Sequence, residues 1–165
     1  MSEMHGQERS AHVPMKSLLV VFSYHHKNTE KVAKVIAKVL DAEISEPQEI
    51  NPDELQAYSL VGFGSGIYSG KHHKTLLHLA DALPQVTDRK AFIFSTCTLG
   101  YEVAKNHTTL REKLQSKGYT IVDEFGCPGF NTNSFSRFFG GVNRGRPSAE
   151  DLKHAEEFAQ SLINS

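Results

Sequence analysis

The chain has 165 residues, of which 39% are hydrophobic and 22% charged, and its formal net charge is −1 at pH 7. This length suits one domain with a substantial core, and the balanced charge does not favour nucleic acid or an anionic membrane surface as an obligate partner. No apolar run approaches the roughly 18 to 20 residues of a membrane span. Residues 1–15 lack an apolar segment and are predicted to form a disordered leader before one domain at 16–165.

The first half of the chain alternates predicted strands and helices. Residues 18–22 form a continuous apolar run, which predicts a strand covered on both faces. The next segment predicts a helix, because apolar side chains share one stripe at helical spacing. That stripe consists of Val32, Val35, Ile36, Val39 and Leu40. A weak strand is predicted at 42–45, a single helical turn at 53–57 and a second buried strand at 58–64.

The second half continues this alternation. The next predicted helix stops before Pro84, and its apolar face consists of Leu76, Leu79, Ala80 and Leu83. Residues 91–95 predict a third clear strand, and the helix after it is marked by Val103, Leu110 and Leu114. An edge strand is predicted at 119–125, an irregular segment at 126–147 and a closing helix capped by Ser148.

Five successive strand-helix units predict a parallel sheet with right-handed crossovers and helices on both faces. Five such strands suit the flavodoxin-like winding, an α/β three-layer sandwich with strand order 2-1-3-4-5. That winding holds flavin mononucleotide (FMN) at the switch point between strands 1 and 3. Because ligands of such sheets lie beyond the carboxyl ends of the strands, the candidate binding loops are 23–29, 65–70 and 96–101.

The first candidate loop, 23–29, leads from a strand into a helix. A helix N-terminus attracts phosphate, because its first N–H groups are unpaired and its dipole end is positive. The candidate phosphate ligands are Ser23, His25, His26, Lys27, Asn28 and Thr29. The alternative is an ordinary strand-to-helix turn capped by Asn28 or Ser23.

The second and third loops have compositions that suit a flavin ring. Gly66 allows close approach of the main chain, so that its carbonyl can meet the N5–H of a reduced flavin. Tyr68 is expected to stack on one face of the ring and Tyr101 on the other, while backbone groups of the third loop bind the pyrimidine edge. The alternative for Tyr68 is a half-exposed loop aromatic. The candidates are Ser65, Gly66, Ile67 and Tyr68 in the second loop, and Thr96, Cys97, Thr98, Gly100 and Tyr101 in the third.

Neither cysteine is predicted to act as a nucleophile. A phosphatase-type loop would need an arginine six residues after Cys97, but that position is Val103. Cys97 and Cys127 are therefore predicted to be small packed thiols. Two cysteines are also too few for a disulfide framework, which predicts a cytoplasmic protein with reduced thiols.

The histidines do not indicate a metal site. His25 with His26 and His72 with His73 form adjacent pairs, and no carboxylate or thiolate completes a recognisable ligand set. His72 and His73 lie at a predicted helix start. They are expected to be exposed or at the flavin rim, where they could donate protons near neutral pH.

Two motifs resemble those of the flavodoxin family. The sequence Tyr-His-His-Lys-Asn-Thr at 24–29, with Val-Ala at 32–33, is similar to the family's phosphate loop, and Gly-Ile-Tyr-Ser-Gly-Lys at 66–71 is similar to its ring loop. The second motif also resembles that of flavodoxin-like protoporphyrinogen oxidases. The resemblance covers about residues 16–165 and implies non-covalent FMN and electron transfer. His26 and Lys27 stand where family members commonly have smaller residues.

The leading prediction is therefore an FMN protein that passes electrons to a redox partner protein or a small acceptor. The chain departs from the family it resembles in one respect, because typical flavodoxins are strongly acidic and this chain is close to neutral. The weaker charge favours an alternative, an oxidoreductase that has one cognate partner or acts on its own substrate, such as a quinone or porphyrin. A flavin-free regulatory module on the same fold is the third hypothesis. No residue is assigned a catalytic role, and neither nucleic acid nor a membrane span is expected.

Overall fold

A computed structural model of the chain describes residues 16–23, 27–97, 102–128 and 146–164. Within these ranges the strands are β1 (Ser17–Phe22), β2 (Glu43–Ser45), β3 (Leu60–Tyr68), β4 (Lys71–His72), β5 (Arg89–Cys97) and β6 (Tyr119–Pro128). The α-helices are α1 (Asn28–Leu40), α2 (Lys74–Ala82), α3 (Val103–Asn106), α4 (Thr108–Ser116) and α5 (Ala149–Ile163). Short 3-10 helices at Pro47–Glu49 and Pro52–Ala57 join β2 to β3, and the second confirms the predicted helical turn.

Five of the strands run parallel in the spatial order β2-β1-β3-β5-β6. Counted along the parallel strands alone, this order is 2-1-3-4-5, as the sequence predicts, and β6 lies at the predicted edge. The short strand β4 was not predicted, and it pairs antiparallel with the end of β3. The sheet therefore has the predicted winding with one hairpin added at its carboxyl edge.

Apolar side chains cover both faces of the sheet. On one face Leu19, Val21, Phe92 and Phe94 pack against α1 and α5, and on the other Leu18, Val20, Phe63 and Ile93 pack against α2 and α4. Because successive side chains of a strand point to opposite faces, a strand buried on both sides needs a continuous apolar run. This arrangement confirms the predicted apolar stripes of the first two helices.

Two glycines of β3 make room for aromatic rings of β5. A Cβ atom added to Gly62 would lie 2.2 Å from the Phe92 ring, and one added to Gly64 would lie 2.2 Å from the Phe94 ring. Any side chain at either position would overlap these rings. Both glycines therefore serve the packing of the core.

Three boundaries differ from the sequence predictions. β3 continues to Tyr68 because its end pairs with β4, so residues 65–68 of the predicted second loop are strand. The single helix predicted after residue 101 is two helices, α3 and α4, joined at His107. β6 continues to Pro128, and the predicted irregular segment beyond it lies mostly outside the described residues, as does the predicted leader.

The N-terminus of α5 confirms its predicted cap. The Ser148 side chain accepts a hydrogen bond from the backbone N–H of Asp151, and the Asp151 side chain accepts one from the backbone N–H of Ser148. Arg146 pairs with the same carboxylate at 2.8 Å. This capping box fixes the start of the helix that covers one face of the sheet.

Candidate functional site

The carboxyl ends of β1, β3 and β5 lie side by side. Phe22 is in register with Ser65, and Ser65 with Ser95. One residue further on, Gly66 is in register with Thr96. The described parts of the three candidate loops therefore meet at one edge of the sheet, at the point where the strand order reverses direction.

The first loop enters α1 through a backbone turn. Lys27 occupies the N-cap position in the left-handed conformation, with φ 49° and ψ 39°, and makes no side-chain cap. The Ser23 hydroxyl accepts a hydrogen bond from the backbone N–H of Glu30 at 3.3 Å. Of the two caps considered from the sequence, Ser23 thus binds a first-turn N–H, whereas Asn28 is the first helical residue. The candidates His25 and His26 lie outside the described residues.

A buried hydrogen bond ties the first loop to the end of β5. The Thr29 and Thr96 hydroxyl oxygens are 2.8 Å apart, and only 2% of Thr29 is exposed. Each hydroxyl can donate one hydrogen, so only one of the two can also donate to a third group. If Thr29 donates a hydrogen bond to a phosphate, as predicted, the hydroxyl of Thr96 must be the donor in the bond between the two threonines.

Two lysines near the N-terminus of α1 form ion pairs with the same carboxylate. Glu30 lies 3.1 Å from the Lys34 ammonium and 3.7 Å from that of Lys27. The hydrogen bond from Lys34, reinforced by the charge of Lys27, holds the pKa of Glu30 below its ordinary value. A cavity of about 350 Å³ lies between this helix face and the segment after β2. The charge that Lys27 can offer to a phosphate is therefore already partly balanced.

The second candidate loop is a tight hairpin. Ile67 pairs with His72 and Tyr68 with Lys71, and the two residues between them both have positive φ, 51° at Ser69 and 76° at Gly70. Two consecutive left-handed residues define a type I′ turn, whose twist matches that of the paired strands. The candidates 65–68 are thus held on a continuous strand.

Ser65 fixes the base of this hairpin. Its hydroxyl donates to the Gly66 carbonyl at 2.6 Å and accepts from the backbone N–H of His73 at 2.9 Å. The carbonyl predicted to meet a flavin N5–H therefore already accepts one hydrogen bond. Because a carbonyl oxygen has two lone pairs, it can accept a second one.

Three rings form a column from the end of β1 to the hairpin surface. The His73 ring stacks on the Phe22 ring with their centroids 3.7 Å apart. The Tyr68 ring contacts the His73 ring edge-on, with a centroid distance of 5.0 Å. His73 also accepts a hydrogen bond from the backbone N–H of Thr75, which caps α2, and burial lowers the pKa of its imidazole. Tyr68, at the outer end of the column, is 40% exposed.

His72 differs from its predicted position. It is only 2% exposed, and its Nε2–H donates to the Phe94 carbonyl at 3.0 Å. Burial lowers the pKa of His72 to about 3. The prediction of an exposed or flavin-rim group that donates protons near neutral pH is therefore wrong for His72, because the pairing of β4 with β3 turns its side chain into the core.

A polar cluster that the sequence did not predict lies between the end of β5, β6 and the start of α4. His107 is fully buried, with Nδ1 3.0 Å from the Glu124 carboxylate and Nε2 2.7 Å from the Ser95 hydroxyl. Arg111 binds both oxygens of Glu124 at 2.9 Å. Burial, aided by the Arg111 charge, lowers the pKa of His107 to about 4. The one sequence signal for this cluster is a polar residue, Ser95, at the end of an apolar strand.

This cluster has the order of a serine–histidine–carboxylate triad but not its accessibility. Both Ser95 and His107 are buried, and the neutral histidine donates from Nδ1 to the carboxylate while accepting from the serine. A nucleophile must reach a substrate carbonyl. We therefore interpret the cluster as structural, joining β5, β6 and the start of α4.

The cysteines agree with the sequence predictions where the structure describes them. Neither forms a disulfide, and Cys127 is buried, which raises the pKa of its thiol to about 12. Cys97, at the end of β5, is half-buried. The described residues contain no group of three or more histidine, cysteine, aspartate or glutamate side chains placed to hold a metal. The remaining third-loop candidates, Thr98, Gly100 and Tyr101, lie outside the described residues.

The sequence profile of the flavodoxin domain matches residues 19–134, which include most of β1 and all of β3 and β5. The chain belongs to the flavodoxin family. A curated relative is the uncharacterized protein MJ0298 of Methanocaldococcus jannaschii, 46% identical over 151 residues that cover 92% of this chain and all of that protein.

Solved structures of two flavodoxins and of a larger oxidoreductase share the fold. Flavodoxin 2 of Bacillus cereus superposes with a TM-score of 0.70 at 19% identity, covering 90% of this chain and 98% of that one. A flavodoxin from the domain Archaea gives 0.61 at 17% identity, covering 88% and 94%. Rubredoxin oxygen:oxidoreductase of Desulfovibrio gigas gives 0.63 at 15% identity, and the match covers 88% of this chain and 34% of that larger one. Among the described helices, none combines the length and apolarity needed to cross a bilayer.

Proposed function

We propose that this flavodoxin binds FMN without a covalent bond and carries electrons to a partner, and that it does so in the cytoplasm. The observation that supports this proposal most strongly is the convergence of a helix N-terminus, an aromatic hairpin and the end of β5 at the switch point of the sheet. FMN, when bound, supplies the capacity to take up and release electrons one or two at a time.

The geometry of the hairpin fits a flat ring. Among the described residues, the three atoms nearest to a Cβ atom added to Gly66 all belong to Tyr68, the nearest at 3.4 Å, so this part of the structure leaves an opening beside the main chain at the end of β3. Tyr68 stands beside this opening, with one side braced by His73. An exposed aromatic face next to accessible main chain suits the stacking of an isoalloxazine ring.

The first loop supplies the phosphate part of the proposed site. Lys27, whose backbone has the left-handed conformation, occupies the N-cap position and joins this loop to the N-terminus of α1. Ser23, Asn28 and Thr29 add side-chain hydrogen-bonding groups around this turn. A helix N-terminus with such groups suits a phosphate dianion.

A titration with FMN tests this function. We expect the purified protein to bind the nucleotide with quenching of flavin fluorescence and a shifted visible spectrum, and to undergo reversible reduction when bound. Riboflavin, which lacks the phosphate, is the matched control and is expected to bind at least tenfold more weakly, because the loss of even one charge-assisted hydrogen bond costs about 1.5 to 3 kcal/mol. Absence of binding to either compound would instead support a flavin-free module on this fold.

The buried threonine pair provides a matched test of the phosphate loop. Thr29→Val and Thr96→Val each remove the same hydrogen bond, so we expect each to lower the free energy of unfolding by about 1 to 2 kcal/mol. Only Thr29→Val also removes a hydroxyl from the first loop, and we expect it to weaken FMN binding about tenfold more than Thr96→Val does. An FMN affinity of Thr29→Val equal to that of the unmodified protein would show that Thr29 contributes only to the fold.

A further inference from the structure

The hairpin beside the proposed flavin site is uniformly free of negative charge. No aspartate or glutamate occurs between Glu54 and Asp81, although the chain contains 19 acidic residues. The same segment contains two lysines, Lys71 and Lys74. This local balance contrasts with the net charge of −1 for the whole chain.

The two lysines lie on the surface around the exposed tyrosine. Lys71 pairs across the hairpin with Tyr68, and Lys74 is the first residue of α2. Both are exposed, and with Tyr68 and Leu77 they line an open cavity of about 300 Å³. We call the surface formed by Tyr68, Lys71 and Lys74 the hairpin face.

The charges of the hairpin face are not balanced by neighbouring acids. Within the described residues, no carboxylate forms an ion pair with Lys71 or Lys74. By contrast, Lys27, Lys34, Lys105 and Lys113 each have a carboxylate within 4 Å. The next acidic residue along the chain, Asp81, already pairs with Lys113 at 2.7 Å. The field of the two lysines is therefore directed outward.

We infer that the hairpin face is the docking surface for a redox partner protein whose own contact surface is acidic. This inference rests on the proposed function, because it assigns the partner class of the same site. Tyr68, held in place by the His73 ring, resembles the aromatic anchors found at the centre of protein interfaces, and Lys71 and Lys74 resemble the charged residues of an interface rim. A complementary negative patch would accelerate encounter and orient the partner with its redox centre toward the end of β3.

The experiment uses two acceptors that share one haem but differ in surface charge. Cytochrome c is basic, and succinylation of its lysines makes it acidic. The FMN-loaded protein is reduced with one equivalent of dithionite and mixed in a stopped-flow instrument with either acceptor, so that each ferric haem takes up one electron and becomes ferrous. At low ionic strength we expect the acidic acceptor to react at least tenfold faster, with a rate that falls as salt is added.

Two charge-matched variants locate the effect. Lys71→Glu/Lys74→Glu is expected to lower the rate with the acidic acceptor at least tenfold and to raise the rate with the basic one. Lys38→Glu/Lys117→Glu changes the net charge equally but lies in the last turn of α1 and at the end of α4, at the opposite edge of the sheet. This control is expected to change either rate less than threefold.

The outcomes separate this inference from the proposed function. A faster reaction with the basic acceptor, or equal effects of the two double variants, would overturn the assignment of the hairpin face while leaving FMN binding intact. An unchanged preference in Lys71→Glu/Lys74→Glu would do the same. Failure to bind FMN would overturn the proposed function, and it is detected by the titration before any acceptor is added.

Discussion

The free energy of unfolding is expected to fall steeply as the pH drops from about 6.5 toward 4.5. Burial lowers the pKa of His72 to about 3 and that of His107 to about 4, whereas an unfolded histidine titrates near 6.5. In this range the unfolded chain binds protons that the folded chain does not. The contribution of the two neutral histidines to the free energy of unfolding is therefore fully present above pH 6.5 and is lost on acidification. Each histidine contributes about 1.4 kcal/mol per pH unit, and the two together about 2.7 kcal/mol per unit.

Urea denaturation at pH 7.0, 6.0, 5.0 and 4.5 measures this slope. His107→Gln removes one of the two most strongly shifted histidines and is expected to reduce the slope by about 1.4 kcal/mol per pH unit, whatever its effect at pH 7. His154→Gln, at an exposed position of α5, serves as the control and should leave the slope unchanged. A wild-type free energy that stays constant between pH 7 and 4.5 would show that these imidazoles are not held neutral by the fold.

Gly64→Ala is expected to destabilise the protein by about 3 kcal/mol, at the upper end of the range for overpacked cores. The new Cβ atom would lie 2.2 Å from Cε2 and 2.3 Å from Cζ of Phe94. That ring cannot move away freely, because it packs against Phe92, which in turn contacts Phe158 of α5. The overlap must therefore be relieved by a shift of the sheet or of the helix.

Gly66→Ala is the matched control on the same strand. Its Cβ atom would make an ordinary 3.4 Å contact with the Tyr68 ring, so the free energy of unfolding is expected to change by less than about 0.5 kcal/mol. Phe94→Leu replaces the obstructing ring by a smaller side chain and should partly rescue Gly64→Ala. The double variant is therefore expected to lose less free energy of unfolding than the sum of the two single losses. Strictly additive effects would contradict the proposed overlap.

Much of the fold could be predicted because its signals are local. The apolar runs of β1, β3 and β5 and the stripes of α1 and α2 each lie within one short segment, and five such units in alternation specify the winding. The strand order and the cap at Ser148 follow from these patterns, and the structure confirms both. The described parts of the predicted loops lie at the predicted edge of the sheet for the same reason.

Much of the site's detail depends on contacts between distant residues. The bond between Thr29 and Thr96 joins positions 67 residues apart, and the contact of His107 with Glu124 joins an inter-helix corner to an edge strand. Neither pairing leaves a periodic pattern in the sequence. The hairpin was missed for another reason, because Ser69 occupies a left-handed position where glycine or asparagine is the usual signal.

The tight turn at Ser69 and Gly70 limits how this protein can change its choice of partner. Register in a two-residue hairpin is set by the turn, so inserting or deleting one residue there would shift β4 against the end of β3, whose own position is fixed by its pairing with β5. The same change would bring His72 out of the core. New partners can therefore be accommodated by exchanging the charged side chains on the hairpin, whereas altering its length would disturb both the site and the core beneath it.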